Sequence, residues 1–180
     1  MKAVKGLPYH NERHALFVSN SAKRLCEMEK VPAHEKELVM LAALYHDSGY
    51  IIRYDNNEPF GAIIAHVALR ELGYSDADIA TVSRLIIATS MPQRPKDRLE
   101  QIICDADMSA LGTQQQAYFS DALRRELSAD RGKWKNIDLN FMKRHHYFTN
   151  AAKGLYGPIK RNNLRKIERL AHRTRNKPKR

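Results

Sequence analysis

The sequence contains no apolar run close to the roughly 20 residues that a membrane-spanning helix requires. Its first residues, MKAVKGLPYHNERH, lack an apolar stretch of signal-peptide length, so we expect neither a signal peptide nor a membrane partner. Only two cysteines occur, Cys26 and Cys104, and they do not form the CxxC pair of a redox or zinc site. Both lie in apolar segments of helical spacing, which predicts buried thiols in a cytoplasmic protein.

Acidic residues are nearly absent from the C-terminal end, and this explains most of the net charge of +11. From Lys160 to Arg180 there are ten basic residues and one acid, a net charge of +9, which leaves +2 for the rest of the chain. Such an end could attract RNA, DNA or an anionic membrane through counterion release. No aromatic residue follows Tyr156 to stack on bases, so a solvated end is the favoured interpretation over nucleic-acid binding.

Strand-like alternation of polar and apolar residues is also absent, and apolar residues recur with helical spacing along most of the chain. A chain of 180 residues with 43% hydrophobic residues has the size and composition of one soluble globular domain. The pattern predicts an all-α fold, a compact single-domain bundle of about seven or eight helices. We place this domain at residues 1–173 and expect the basic residues 174–180 to form a disordered tail.

Prolines, glycines and capping residues predict where the helices begin and end. Pro32 and Pro59 suit the first turns of the second and third helices, and Gly73 ends the third. Ser75 and Asp78 fit a capping box at the start of the fourth, and Thr113 is expected to cap the sixth. The first, fifth and last two helices are predicted at about 11–30, 99–111, 139–156 and 158–172, with a polar connection at 128–136 and a break at Gly157-Pro158.

Two histidine motifs lie on the first two predicted helices. His10 and His14 are four residues apart, so one helical turn can place both rings on the same face. His46 is followed directly by Asp47 at the end of the second helix, just before a glycine. Imidazole and carboxylate groups in such positions are frequent metal ligands, although each motif alone is also common by chance.

Two aspartates lie in an otherwise apolar segment of the fifth predicted helix, ICDADMSALG. Burying Asp105 and Asp107 there would be costly unless a positive group faces them. A divalent cation or an arginine would meet this requirement. For Asp105 an inter-helix salt bridge, or support of a neighbouring ligand, is the preferred interpretation.

The order of these motifs and their local contexts resemble the HD superfamily of metal-dependent phosphohydrolases. The likeness is greatest to the subset that begins with a YHN segment followed by a second histidine, and it covers roughly Leu7 to Leu170. The segments that carry it are YHNERHA at 9–15, AALYHDSGY at 42–50, Asn57-Glu58, LIIAT at 85–89, DADMSALG at 105–112 and HHYFTNAAKGLYGPIKRNNL at 145–164.

This resemblance implies a set of metal ligands, namely His14, His46, Asp47 and Asp107. Asp107 is favoured over Asp105 because its context, Ala-Asp-Met-Ser-Ala-Leu, matches the pattern around the last ligand in related hydrolases. His10 is similar in position to the histidine that assists the leaving group in the related cyclic-nucleotide phosphodiesterases. The implied catalytic residues are therefore His10, Asp47 and Asp107.

Two imidazoles and two carboxylates form a mixed donor set that suits Mn²⁺, Fe²⁺, Co²⁺, Ni²⁺, Zn²⁺ or Mg²⁺. Family members with two metals usually carry further histidines between the His-Asp pair and the last aspartate. Here only His66 lies in that interval, among apolar residues that predict a core or rim position. We therefore expect one divalent metal ion per chain.

The implied function is that of a cytoplasmic metal-dependent phosphohydrolase, either a phosphomonoesterase or a phosphodiesterase. Its substrate would be a small phosphorylated metabolite or a nucleotide, attacked by a metal-activated water. Asp47 or Asp107 would accept the proton of this water, and His10 would donate one to the leaving oxygen. Two alternatives are a catalytically silent HD-fold module that binds a nucleotide or a partner, and a nucleic-acid-binding protein that acts through its basic end.

Overall fold

Helices account for every regular element in the computed structural model, which describes residues 6–175 and, of these, the side chains of residues 6–170. The predicted all-α class and number of helices are thus confirmed. None of the described helices is long and apolar enough to cross a membrane. The α-helices are α1 (Glu12–Met28), α2 (Ala33–Tyr45), α3 (Glu58–Glu71), α4 (Asp76–Ala88), α5 (Arg98–Asp107), α6 (Gln116–Glu126), α7 (Arg131–Arg144) and α8 (Asn150–Arg175), and 3-10 helices occupy Ser48–Ile51 and Met108–Gly112.

The chain divides into two compact units, Met1–Met108 and Ser109–Arg180. The expected single domain over residues 1–173 stays a prediction. Residues 174 and 175 belong to α8, and the remainder of the expected basic tail, 176–180, lies outside the described residues.

The core of the first unit forms where α1 packs against α2 and α5, with α4 packed against α2, α3 and α5. Apolar residues of α1 recur every three or four positions and are buried from Ala15 through Leu25, whereas Met28 at the end of the helix is half exposed. Each fully buried leucine or isoleucine of this core contributes about 1.5–3 kcal/mol of burial free energy. Fully buried side chains of the unit include Val18, Leu25, Val39, Leu69, Leu85, Ile102 and Ile103.

Both cysteines lie in this core as free, buried thiols, which confirms the sequence prediction. Burial raises the pKa of Cys26 to about 12 and also raises the pKa of Cys104. Each therefore remains a protonated thiol near neutral pH, and a thiol in that state is a poor nucleophile.

Side-chain caps explain several helix starts. In the predicted capping box the Asp78 carboxylate accepts from Ser75 Oγ, at 2.7 Å, in place of the Ser75 backbone N–H. Ser75 is confirmed as the cap of α4, because its Oγ accepts the backbone N–H of Asp78 at 3.2 Å. Asn11 caps α1, Asp97 caps α5 and Asp130 caps α7 in the same way. Thr113 does not cap α6, since its hydroxyl accepts the N–H of Gln115, which lies before the first residue of that helix.

The predicted boundaries near the C-terminal end are wrong in two places. The polar segment 128–136 is not a connection, because α7 already begins at Arg131. The helix break lies at 145–149 rather than at Gly157-Pro158, since His145 is extended and Thr149 Oγ1 accepts the N–H of Ala152 at the start of α8. Pro158 cannot bond the carbonyl of Gly154, but both residues are exposed, so this carbonyl can turn towards solvent without ending the helix.

The close packing of Gly112 against α8 in the second unit can be tested by substitution. A Cβ at this position would lie 2.5 Å from the carbonyl oxygen of Tyr156 and 2.8 Å from Tyr147 Oη. We expect Gly112→Ala to lower the free energy of unfolding by about 1–3 kcal/mol, the usual cost of overpacking. The measurement is urea denaturation followed by circular dichroism.

Gly154→Ala is the matched control for this variant. A Cβ there has no neighbour within 4 Å, and the residue lies inside α8. Alanine should therefore stabilise the helix by about 0.5–1 kcal/mol. Equal effects of the two substitutions would contradict the close contact between Gly112 and α8.

Candidate metal centre

The first histidine of the centre is positioned by the N-terminal cap of α1. Asn11 Oδ1 accepts the backbone N–H of His14 at 3.2 Å, and its Nδ2 donates to the carbonyls of Leu7 and Pro8, both at 3.0 Å. The side chain of Asn11 thus joins the preceding segment to the turn that carries His14. Sequence analysis did not assign this role, although an asparagine directly before a helical stripe is a capping signal.

His46 and Asp47 are positioned by the close approach of α3 to the end of α2. A Cβ on Gly49 would lie 2.8 Å from both the carbonyl carbon of Asn57 and the nitrogen of Gly61. A Cβ on Gly61 would in turn lie 3.0 Å from the carbonyl oxygen of Tyr45 and 3.1 Å from that of His46. Glycine at both positions therefore lets α3 hold the turn that carries His46 and Asp47.

Three of the four predicted metal ligands, His14, His46 and Asp107, form one donor group, and the fourth, Asp47, lies outside this group but against both of its imidazoles. Asp47 Oδ2 lies 3.3 Å from Nε2 of His14 and 3.0 Å from Nε2 of His46. Asp107 Oδ1 lies 3.6 Å and 3.5 Å from the same two nitrogens. Adjacent donors around a metal with bonds of about 2.1 Å lie about 3 Å apart in octahedral geometry, so these separations fit one ion.

The hydrogen bond made by the second ring nitrogen, Nδ1, determines the tautomer of His46. Nδ1 lies 2.8 Å from the carbonyl oxygen of Ala43, and because a carbonyl only accepts, Nδ1 must be the donor. In the neutral ring Nε2 is then unprotonated and its lone pair faces the carboxylates. A backbone carbonyl bonded to the distal nitrogen is the common way in which proteins orient a metal-binding imidazole.

The centre contains buried polar atoms that the described part of the protein leaves unsatisfied. His46 Nε2 and Asp47 Oδ2 make no hydrogen bond there, despite their separation of 3.0 Å. His14, His46 and Asp107 each offer one donor atom, and these three atoms lie within 4.8 Å of one another. A cation placed among them would satisfy all of these atoms at once, so the residues fit a divalent metal.

The ionisation of these groups shows that the centre attracts positive charge. Burial disfavours the imidazolium form of His14 and His46, yet the neighbouring carboxylates raise the pKa of both rings above its ordinary value. Burial likewise opposes ionisation of Asp47 and Asp107, but the two imidazoles hold the pKa of each carboxyl below its usual range. At all four groups the interaction between imidazole and carboxylate therefore outweighs the effect of burial on the pKa.

His10 lies beside this centre. Its half-buried ring stacks on Tyr50, with 3.9 Å between the centroids, and its centroid is 6.2 Å from that of His14. Tyr9 and Tyr54 contact the ring edge-on. Burial, together with Asp47, raises the pKa of Tyr50, which therefore remains a neutral phenol.

The remaining candidate residues lie apart from the donor group. Asp105 is fully buried but does not belong to the cluster formed by His14, His46 and Asp107. His66 is exposed on α3, so of the expected core or rim position the core alternative is wrong. Gln93, which sequence analysis did not single out, donates from Nε2 to Asp107 Oδ2 at 3.0 Å. Gln93 lies in a loop without apolar periodicity, so the sequence pattern did not predict a functional role for it.

The family model for the HD domain matches residues 11–110, which is more than half of the chain, and the chain therefore belongs to the HD domain family. The match includes His14, His46, Asp47 and Asp107, while His10 lies one residue before it. No curated protein matches the chain. Membership of this family is consistent with a metal-dependent hydrolase and with the cluster that the fold assembles.

Metal analysis provides a direct test of the centre. We expect the purified protein to bind one equivalent of Mn²⁺, and His46→Ala or Asp107→Asn to weaken binding by more than the 10–100-fold typical of residues that only orient a ligand. The measurement is isothermal titration calorimetry, with metal content after dialysis as a second readout.

His66→Ala serves as the control, because it removes an exposed histidine of the same unit. This variant should bind Mn²⁺ as the parent protein does. Retention of metal by both ligand variants, with helical content unchanged, would show that the ion binds elsewhere.

Proposed function

We propose that this protein is a metal-dependent phosphohydrolase that cleaves a phosphoester bond in a small phosphorylated metabolite or nucleotide. The observation that carries the proposal is the pair of buried atoms, His46 Nε2 and Asp47 Oδ2, that lie 3.0 Å apart without a hydrogen bond. Such a pair is costly unless a proton or a metal cation lies between its members. Membership of the HD domain family supports the same chemistry.

In this proposal His14, His46, Asp47 and Asp107 hold one divalent metal. When bound, the metal would polarise a phosphoryl oxygen and lower the pKa of a water molecule. Four protein donors leave two positions open on an ion that prefers six, which is sufficient for a substrate oxygen and the attacking water.

The two carboxylates are the bases that the chain offers to the attacking water. Their side chains are partly accessible, 16% for Asp47 and 11% for Asp107, whereas those of His14 and His46 are almost completely buried. The carboxylates therefore lie on the side of the centre that a substrate would reach. Either one would accept the proton of the water as its oxygen attacks phosphorus.

In the proposed reaction His10 acts on the leaving group. Its stacking on Tyr50 and its edge contacts with Tyr9 and Tyr54 restrict the orientation of the ring beside the centre. As a general acid it would donate a proton to the oxygen that leaves phosphorus. A positioned side chain of this kind contributes about 10²–10⁴-fold to the rate.

A screen of phosphomonoesters, phosphodiesters and nucleotides tests the proposal. We expect phosphate or alcohol release that requires added Mn²⁺, is lost in EDTA and is abolished by Asp107→Asn. His10→Ala should lower kcat by about 10²–10⁴-fold while leaving metal content unchanged, because this ring is not a proposed ligand.

The control for this experiment is His34→Ala, which removes an exposed histidine paired with Asp78 and should leave kcat unchanged. One equivalent of bound metal without turnover on any substrate would contradict the proposed hydrolase. It would favour instead a silent module that binds a nucleotide or a partner.

Nucleic-acid binding is a second candidate function, favoured by a row of arginines on α8. The second unit contains 18 basic and 5 acidic residues. Arg161, Arg165 and Arg169 are exposed and one turn apart, and none of them forms an ion pair within the described part of the chain. Like charges at this spacing destabilise a helix, so a phosphate backbone would relieve their repulsion.

Replacing these three arginines with alanine should reduce the salt dependence of RNA binding. The slope of log K against log salt should fall by about one for each lost phosphate contact. Fluorescence anisotropy at 50 and 200 mM salt would measure it, with Lys23→Ala/Arg24→Ala on α1 as the control. An unchanged slope, or an absence of RNA binding by the parent protein, would contradict nucleic-acid binding through α8.

A further inference from the structure

The carboxylate of Asp107 has its two oxygens in different environments. Oδ1 lies 3.6 Å from Nε2 of His14 and 3.5 Å from Nε2 of His46, inside the donor group. Oδ2 accepts the side-chain N–H of Gln93 at 3.0 Å. Only the amino end of the glutamine amide can donate to an ionised carboxylate, so the orientation of this amide is determined.

We propose that Gln93 is a positioning residue that restricts Asp107 to a single metal-binding oxygen and thereby sets the metal preference of the centre. The proposal rests on the proposed metal centre and assigns no part of the hydrolysis to Gln93. Since one oxygen is held by the amide, the carboxylate cannot rotate to present both oxygens to an ion. Asp107 then contributes one donor, Oδ1.

The loop that carries Gln93 is anchored next to α5. Arg84 Nη1 donates to Asp97 at 2.5 Å and to Glu100 at 2.6 Å, and the other oxygen of the Glu100 carboxylate accepts the N–H of Lys96 at 2.6 Å. Glu100 is buried, and Asp97 caps α5 by accepting the backbone N–H of Glu100 at 2.9 Å. The end of the loop is thus tied to the helix that ends with Asp107.

The number of oxygens that Asp107 offers affects which cations the centre accepts. Ca²⁺ binds six to eight oxygens and often takes both oxygens of a carboxylate, whereas smaller ions prefer six donors. An aspartate restricted to Oδ1, next to two imidazoles, favours ions such as Mn²⁺ over Ca²⁺. Loss of the Gln93 amide should therefore weaken Mn²⁺ binding more than Ca²⁺ binding.

The test compares the affinities of this 180-residue protein for Mn²⁺ and Ca²⁺ by isothermal titration calorimetry. Gln93→Ala removes the side chain, and Gln93→Met keeps its approximate size but cannot donate a hydrogen bond. We expect both variants to bind Mn²⁺ about 10–100-fold more weakly and to lose much of the preference for Mn²⁺ over Ca²⁺. The electron paramagnetic resonance spectrum of bound Mn²⁺ should broaden as the geometry becomes less uniform.

Arg94→Ala is the matched control, since it alters an exposed residue of the same loop. It should leave both affinities within about twofold of the parent values, well below the 10–100-fold expected for loss of a ligand-orienting residue. Parent-like Mn²⁺ affinity in Gln93→Met would overturn the proposal, as would an equal weakening of both ions. A thermal melt of each metal-free variant shows whether its fold is retained.

The same measurements separate this proposal from the proposed hydrolase. If the parent protein binds Mn²⁺ and Gln93 controls its preference, but no phosphoester is cleaved, the hydrolase fails and the role of Gln93 stands. If phosphoesters are cleaved while the Gln93 variants keep the parental metal preference, only the role of Gln93 fails. Absence of Mn²⁺ binding in the parent protein would overturn both.

Discussion

The interaction on which the first unit depends is the electrostatic balance between two buried carboxylates and two buried imidazoles. Asp47 and Asp107 repel each other, and burial penalises both, yet each remains ionised because the rings of His14 and His46 lie within 3.6 Å. Protons on the rings can supply the compensating charge, and so can one divalent cation. The centre therefore has the electrostatic character of a cation site before any chemistry is assigned to it.

The same helix packing that buries the apolar core assembles this centre. His14 comes from α1, His46 from the end of α2 and Asp107 from the end of α5, and these three helices pack on one another. Small backbone features then set the positions of the side chains. Asn11 fixes the first turn of α1, while Gly61 lets α3 approach the turn after α2. The helix contacts that bury the apolar core therefore also fix the positions of the polar side chains of the centre.

Sequence reasoning succeeded where the signal was local or repeated. The helical periodicity of α1 and the cap at Ser75 both depend on neighbours a few residues away, and the structure confirms both. Predictions from sequence were wrong where the structure depends on contacts between residues that are distant in sequence. In α7 the buried residues are Trp134 and Met142, and the ring nitrogen of Trp134 donates to Ser120 Oγ on another helix, so no apolar stripe marked the helix start. Gln93 was missed for the same reason, since only the fold brings it to Asp107.

The centre is also a source of instability that the rest of the unit must offset. An imidazole nitrogen and a carboxylate oxygen that are buried without hydrogen bonds cost free energy, of the order of 1–3 kcal/mol for each group. The apolar side chains around them, such as Val18 and Ile103, supply the burial that keeps the metal-free fold intact. A cation that binds only the folded state would remove this cost and shift the folding equilibrium by mass action.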